Sequence, residues 1–202
     1  MNFEDITFDN FMKLDHKLRK KILNDPELLK PLIAKNMKSS RFEHSLSVAS
    51  LCKKLAKFHK VDEKKAYMAG LLHDVCKFPD HSYDAVLEDY LRHYDPDKLN
   101  GSLGVYHSWV GKYYLREKCN FHDKDILNAI YNHTICNSRD KLSLILYIAD
   151  KREPLRKIND GIVEIAEKDL YKAYEMLEKD VERYIKEVKN ERFIENSICC
   201  DG

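Results

Sequence analysis

Helix breakers are scarce in this chain. Six glycines and 5 prolines in 202 residues leave long stretches free to coil into helices. An excess of one charge is missing too. With 35 Lys and Arg against 34 Asp and Glu the net charge is +1, so no broad basic field of the kind that binds nucleic acid exists. No apolar run approaches a membrane span, and Met1 to Asn10 lacks the basic-then-apolar order of a signal segment. Neither nucleic acid nor a membrane is expected as a partner, and a cytoplasmic location is. The cysteines Cys52, Cys76, Cys119, Cys136, Cys199 and Cys200 show no C-x-x-C spacing. Cys52 and Cys76 fall in apolar helical runs and read as small packed hydrophobes. What is present is ordinary for a globular domain: 44% hydrophobic and 34% charged residues, in a chain long enough for a substantial core.

The periodicity predicts an all-α fold. Asn24-Asp25-Pro26 divides residues 1–36 into two short amphipathic segments, with Asp as cap and Pro in the first turn. These segments carry no chemical signal and read as an N-terminal extension packed on the rest. Ser40-Arg41-Phe42-Glu43 matches a capping box and predicts a helix start with His44 in the first turn. Leu46, Val48, Ala49, Leu51, Cys52, Leu55 and Phe58 follow at helical spacing. Asp62 caps the next helix, with Val61 and Ala66 as a staple, and that helix runs into His73-Asp74 before Pro79. Further helices are expected over about Asp84 to His93, Tyr106 to Lys118, Asp123 to His133 and Lys141 to Arg152. Asp95-Pro96 and the loop Asn100-Gly101-Ser102-Leu103-Gly104 interrupt this series, and Pro154 ends it. A short helix and a long one, Asp169 to about Glu195, complete a single domain over residues 37–195, and residues 196–202 form a polar tail.

Chemistry concentrates at the helix ends. His44 opens one helix, His73-Asp74 closes the next, His107 opens a third, His133 closes a fourth and Asp150 lies near the end of a fifth. Successive antiparallel helices bring such ends to one side of a bundle. A carboxylate at a helix C-terminus opposes the helix dipole and calls for a counter-charge, and both Asp74 and Asp150 are so placed. The remaining histidines, His16, His59, His81, His93 and His122, stand in polar, exposed surroundings. Six nitrogen and oxygen donors suit two divalent ions bridged by one carboxylate. A pair of ions a few ångströms apart can activate water and clamp phosphate oxygens. The set reads as His44, His73, Asp74 and Asp150 on one ion, with His107 and His133 on the other and Asp74 bridging. Lys77, one turn past the His-Asp pair, with Arg41 and Arg156, would grip an anionic phosphate chain.

The runs Arg41-Phe42-Glu43-His44 and Ala69-Gly70-Leu71-Leu72-His73-Asp74-Val75-Cys76-Lys77 resemble the start of an HD-domain hydrolase. Tyr106-His107-Ser108-Trp109-Val110-Gly111, Ile126-Leu127-Asn128-Ala129-Ile130, His133-Thr134 and Ala149-Asp150-Lys151-Arg152-Glu153-Pro154-Leu155-Arg156 resemble the YqeK branch of that superfamily. The likeness spans roughly residues 38–185. It implies an HD-type helical bundle with added N- and C-terminal helices. It also implies symmetrical hydrolysis of diadenosine tetraphosphate to two ADP, with two divalent metals, typically iron and alternatively manganese or zinc. Asp74 and Lys77 would serve catalysis, with Arg41, Lys77, Thr134 and Arg156 on the substrate. A mononucleotide phosphohydrolase and a non-catalytic nucleotide sensor are the alternatives, and a homodimer is left open. One departure stands out: the family follows His-Thr with a glycine-containing turn and an Arg-Pro, whereas here Ile135-Cys136-Asn137-Ser138-Arg139 follows.

Overall fold

Aspartates start several of the helices. Asp15 accepts from Leu18 N–H, Asp25 from Glu27 N–H, Asp62 from Lys64 and Lys65 N–H, Asp123 from Asp125 and Ile126 N–H, and Asp140 from Ser143 N–H. Each bond satisfies an amide that a helix N-terminus otherwise leaves unpaired. The computed structural model describes residues 6, 8–11, 13–77, 82–93 and 103–180. Among them the regular elements are helices and no strand occurs. In chain order they are α1 (Phe8–Phe11), α2 (His16–Leu23), α3 (Pro26–Lys35), α4 (Ser39–His59), α5 (Glu63–Leu72), α6 (Ser82–His93), α7 (Leu103–Tyr113), α8 (Lys124–Asn132), α9 (Lys141–Arg152) and α10 (Ile162–Lys168). A last helix, α11, covers 170–180. None of the described helices is long and apolar enough to cross a membrane.

α9 is the central helix. Every residue from Leu142 to Ala149 is buried, and α9 packs on α4, α5 and α8, while α8 also packs on α5 and α7. α4 and α5 lie together along their lengths. Gly70 permits this closeness, because a Cβ there would stand 2.5 Å from Ala49 Cα and 2.7 Å from Ala49 N. α3 packs against α4 and α5, and α10 against α4 and α9.

Several boundaries differ from the sequence expectation. α4 begins at Ser39 with Lys38 as N-cap and no side-chain cap bond. Ser40 is therefore inside the helix, not a capping-box residue, and His44 falls in the second turn. α7 starts at Leu103, so His107 also lies a turn in, and its continuation Tyr114–Lys118 is a π turn. There Cys119 N–H reaches back five residues to Tyr114 O at 3.1 Å. Pro154 opens a 3-10 turn, Pro154–Arg156, directly after Arg152 and Glu153. Phe58, expected on the packed stripe, is exposed. His59 is half-buried rather than exposed, with Nε2 2.5 Å from Ala166 O. Pro79, His81, Asp95-Pro96, Asn100 to Ser102, the reach of the last helix beyond 180 and Cys199-Cys200 lie outside the described residues.

Candidate metal centre

His73 and His133 are the C-caps of α5 and α8. Each turns its ring back, so that Nδ1 stands 2.7 Å from the carbonyl three residues earlier, Gly70 O and Ile130 O respectively. A carbonyl only accepts, so Nδ1 carries the hydrogen in both rings and the Nε2 lone pair points the other way. His44 from α4 is held alike: Nδ1 is 3.1 Å from Glu153 Oε1, which leaves Nε2 as the acceptor atom, 3.2 Å from Asp150 Oδ1. His73 Nε2 lies 3.4 Å from Asp74 Oδ2 and 3.6 Å from Asp150 Oδ1. His107 Nε2 lies 3.2 Å from Asp74 Oδ1 and 2.9 Å from His133 Nε2, which is itself 3.6 Å from Asp74 Oδ1.

The Nε2 lone pairs of His44, His73 and His133 therefore turn toward the carboxylates of Asp74 and Asp150, with His107 Nε2 among them. His73, Asp74 and His133 are fully buried, and His73 Nε2 and Asp74 Oδ1 have no hydrogen-bond partner. Inside a protein such atoms are costly unless something positive lies between them. Imidazoles fixed through Nδ1 by carbonyls and a carboxylate, with Nε2 turned inward, are the pattern of metal ligands held by outer partners. The donor atoms of His44, His73 and Asp150 all lie within 4.8 Å of one another, as do those of His73, Asp74 and His133. The residues present thus fit divalent cations.

The protonation states of Asp74, Asp150, His107 and His133 agree with that fit, and at His73 a cation must displace a proton. Burial pushes the Asp74 carboxyl up, but His73, His107 and His133 outweigh it and hold the group well below its usual range. Burial opposes ionisation of Asp150 too, and His44, His73 and Lys151 bring it down. Burial lowers His107, and lowers His133 to about 4. For His73, burial is overcome by Asp74 and Asp150, which raise it. Ionised carboxylates beside neutral imidazoles are the form in which these side chains bind metal.

Three cations stand at the edge. Arg41 is 2.8 Å from Asp74 Oδ2, Lys77 3.2 Å from Asp74 Oδ1, and Arg156 3.2 Å from Asp150 Oδ1. Their side chains are 39%, 32% and 41% exposed, so each can turn from its carboxylate to a ligand in solvent. The structure thus brings together all six expected donors and these three cations. Thr134 is engaged elsewhere, its Oγ1 2.8 Å from Ser108 Oγ.

Two residues at the centre were not singled out from the sequence. Glu153 is buried, orients His44 and accepts from Leu155 N–H at 2.7 Å. Lys151 extends from α9 to the His133 carbonyl, 3.0 Å away, and burial lowers its ammonium to about 8. In sequence both stand inside the Ala149-to-Arg156 run that carries the family resemblance, with no role of their own.

Comparison with known proteins agrees with this geometry. The HD domain family matches residues 41–155, more than half of the chain. The probable nicotinate-nucleotide adenylyltransferase/Ap4A hydrolase of Mycoplasma genitalium is 36% identical over 170 residues, 78% of this chain and 47% of that protein. Its counterpart in Mycoplasma pneumoniae is matched over 46% of its length, so the chain spans about half the length of these relatives. The symmetrical bis(5'-nucleosyl)-tetraphosphatase of Staphylococcus aureus is 32% identical over 135 residues, 65% of this chain and 68% of that enzyme. A solved structure, a predicted HD superfamily hydrolase involved in NAD metabolism from Clostridium acetobutylicum, superposes with a TM-score of 0.67 at 26% identity. It covers 87% of this chain and 89% of that one. The chain belongs to the HD-domain family of metal-dependent hydrolases, on its YqeK-type branch.

Proposed function

We propose that the chain hydrolyses the central phosphoanhydride of diadenosine tetraphosphate to two ADP, using two divalent metal ions, iron in the first instance. The carrying observation is the buried cluster of inward-turned imidazoles and carboxylates, whose donor atoms fall within metal-ligand reach of one another, edged by three partly exposed cations. Relatives named as symmetrical tetraphosphatases support the choice of substrate. On this reading His44, His73, Asp74 and Asp150 would hold one ion, and His107 and His133, together with Asp74, would hold the other. Such ions, when bound, lower the pKa of water and neutralise phosphoryl oxygens.

The remaining work falls to the chain. Glu153, Gly70 O and Ile130 O fix the rings of His44, His73 and His133, so that no reorientation is needed on binding. Arg41, Lys77 and Arg156 exchange their carboxylate partners for phosphate oxygens, with the two arginines offering paired N–H donors. Lys77 neutralises negative charge on the oxygens of the phosphoryl group that is attacked. The leaving group is a nucleoside diphosphate and departs without a strong general acid. Because the cations have no acceptor to offer a purine edge, they grip the phosphate chain, and its midpoint is the symmetric point of attack. Chromatography of products from diadenosine tetraphosphate tests the reading: ADP alone is expected, and equimolar ATP and AMP refute it.

A further inference from the structure

The stretch that follows α8 is gripped by two of its own carbonyls. Lys151 Nζ donates to the His133 carbonyl at 3.0 Å, and the Tyr174 hydroxyl of α11 lies 2.9 Å from the Cys136 carbonyl, its one hydrogen shared between that carbonyl and the Glu178 carboxylate. Tyr147 stands between the two. Its ring centroid is 3.7 Å from Lys151 Nζ, and the ring meets that of Tyr174 in a T-shaped contact at 5.4 Å. Residues 133–136 hold neither glycine nor proline and have no regular structure, so their path depends on such outside partners. The His133 carbonyl also lies at the negative end of α8, where an ammonium is favoured.

Lys151 joins the two halves of the centre. Its ammonium is 3.8 Å from Asp150 Oδ2 while it holds the main chain of His133. The His133 ring is tethered to Ile130 O through Nδ1, so the ring follows its own backbone, and its Nε2 lies 3.6 Å from Asp74 Oδ1. We propose that Lys151, seconded by Tyr174, is a positioning residue that sets the His133 imidazole relative to Asp74 and Asp150. This rests on the two-metal reading above and adds to it the residues that keep the second ion's ligand in register.

Charge and position predict opposite signs. Lys151 repels a cation held by Asp150, so loss of its charge alone tightens metal binding. Loss of positioning weakens the ion that depends on His133. Metal-stripped full-length protein is titrated with manganese(II), followed by calorimetry and by the paramagnetic resonance of coupled ion pairs. Wild type is expected to take two ions and show the coupled signal. Lys151→Met should weaken one of them about 10- to 100-fold, the usual loss for an outer partner, and lose the coupled signal at concentrations that saturate wild type. Lys151→Arg, which keeps a donor and a charge, should restore both.

Two ions bound by Lys151→Met as tightly as by wild type, or more tightly, overturn the inference alone. A folded Lys151→Arg that fails to recover the second ion does the same. Wild type that binds a single ion refutes the two-metal reading and this inference with it. Should Lys151→Met not fold, Tyr174→Phe decides, since it removes the hydroxyl's contacts with Cys136 O and Glu178 and touches none of the six ligands. A fall in second-ion affinity of about threefold or more, within the range for one lost hydrogen bond, upholds the clamp, and no change overturns it.

Discussion

Gly70→Ala tests the close approach on which the centre is built. The added Cβ would lie 2.5 Å from Ala49 Cα, 2.7 Å from Ala49 N and 3.1 Å from Ala49 Cβ, where ordinary carbon contacts stand at about 3.5–4.0 Å. Two of the three obstacles are backbone and cannot rotate aside, so α4 and α5 must part by about 1 Å. Overpacking of this kind costs about 1–3 kcal/mol, here toward the upper end. The better helix propensity of Ala returns about 1 kcal/mol. The net is a loss of about 1–2 kcal/mol, or roughly 2–8 °C in Tm for a domain of this size. The consequence for the centre is more specific. α4 carries His44 and Arg41, and the carbonyl of Gly70 itself holds the His73 ring. Parting the helices therefore separates His44 from His73, and weaker metal uptake should accompany the lower Tm. Thermal unfolding by circular dichroism and a manganese(II) titration read the two effects. An unchanged or higher Tm refutes the packing argument, and a lower Tm with wild-type metal affinity refutes its link to the centre.

Three further outcomes are expected. Asp74→Ala should lower turnover by several powers of ten with the helical spectrum retained, and residual activity above about a tenth of wild type excludes a shared-ligand role. Glu153→Gln should weaken metal binding about 10- to 100-fold, because a neutral amide is a poorer acceptor for His44 Nδ1–H; equal affinity in calorimetry would show that His44 needs no such partner. Asp62→Ala removes the cap bonds to Lys64 and Lys65 N–H and should cost about 1 kcal/mol. It should leave metal stoichiometry untouched, and a scanning melt together with metal analysis checks both.

What was legible in the sequence is what depends on short-range chemistry. Asp62, Asp123 and Asp140 start helices because a carboxylate meets amides two or three residues on, which any local window contains. His73, Asp74, His133 and Asp150 drew notice because a histidine or aspartate at the end of an apolar run is costly without a partner, and His44 and His107 because helix starts meet such ends in an antiparallel bundle. The same locality misled at Ser40, where the pattern of a capping box is present but the helix has already begun at Ser39. The π turn at Tyr114 leaves no mark on the apolar period. Glu153 was hidden for a different reason: its role comes from His44, 109 residues away, through the packing of α9 and the following turn against α4. Lys151 likewise gains meaning only once α8 ends beside α9.

The central place of α9 has a consequence for how the chain is made. His44 and Asp150 are 106 residues apart, and at about 5–20 residues per second the ribosome takes roughly 5–20 s to travel between them. During that interval α4, then α5 and finally α8 are synthesised before the helix that fills the space among them. Their apolar faces wait in the open, and those are the seconds in which a growing chain aggregates or is taken up by a chaperone. When α9 arrives it brings the interior and Asp150 in one movement. Core and metal cluster are thus completed together, late, and a nascent chain halted before residue 141 lacks both the central helix and Asp150.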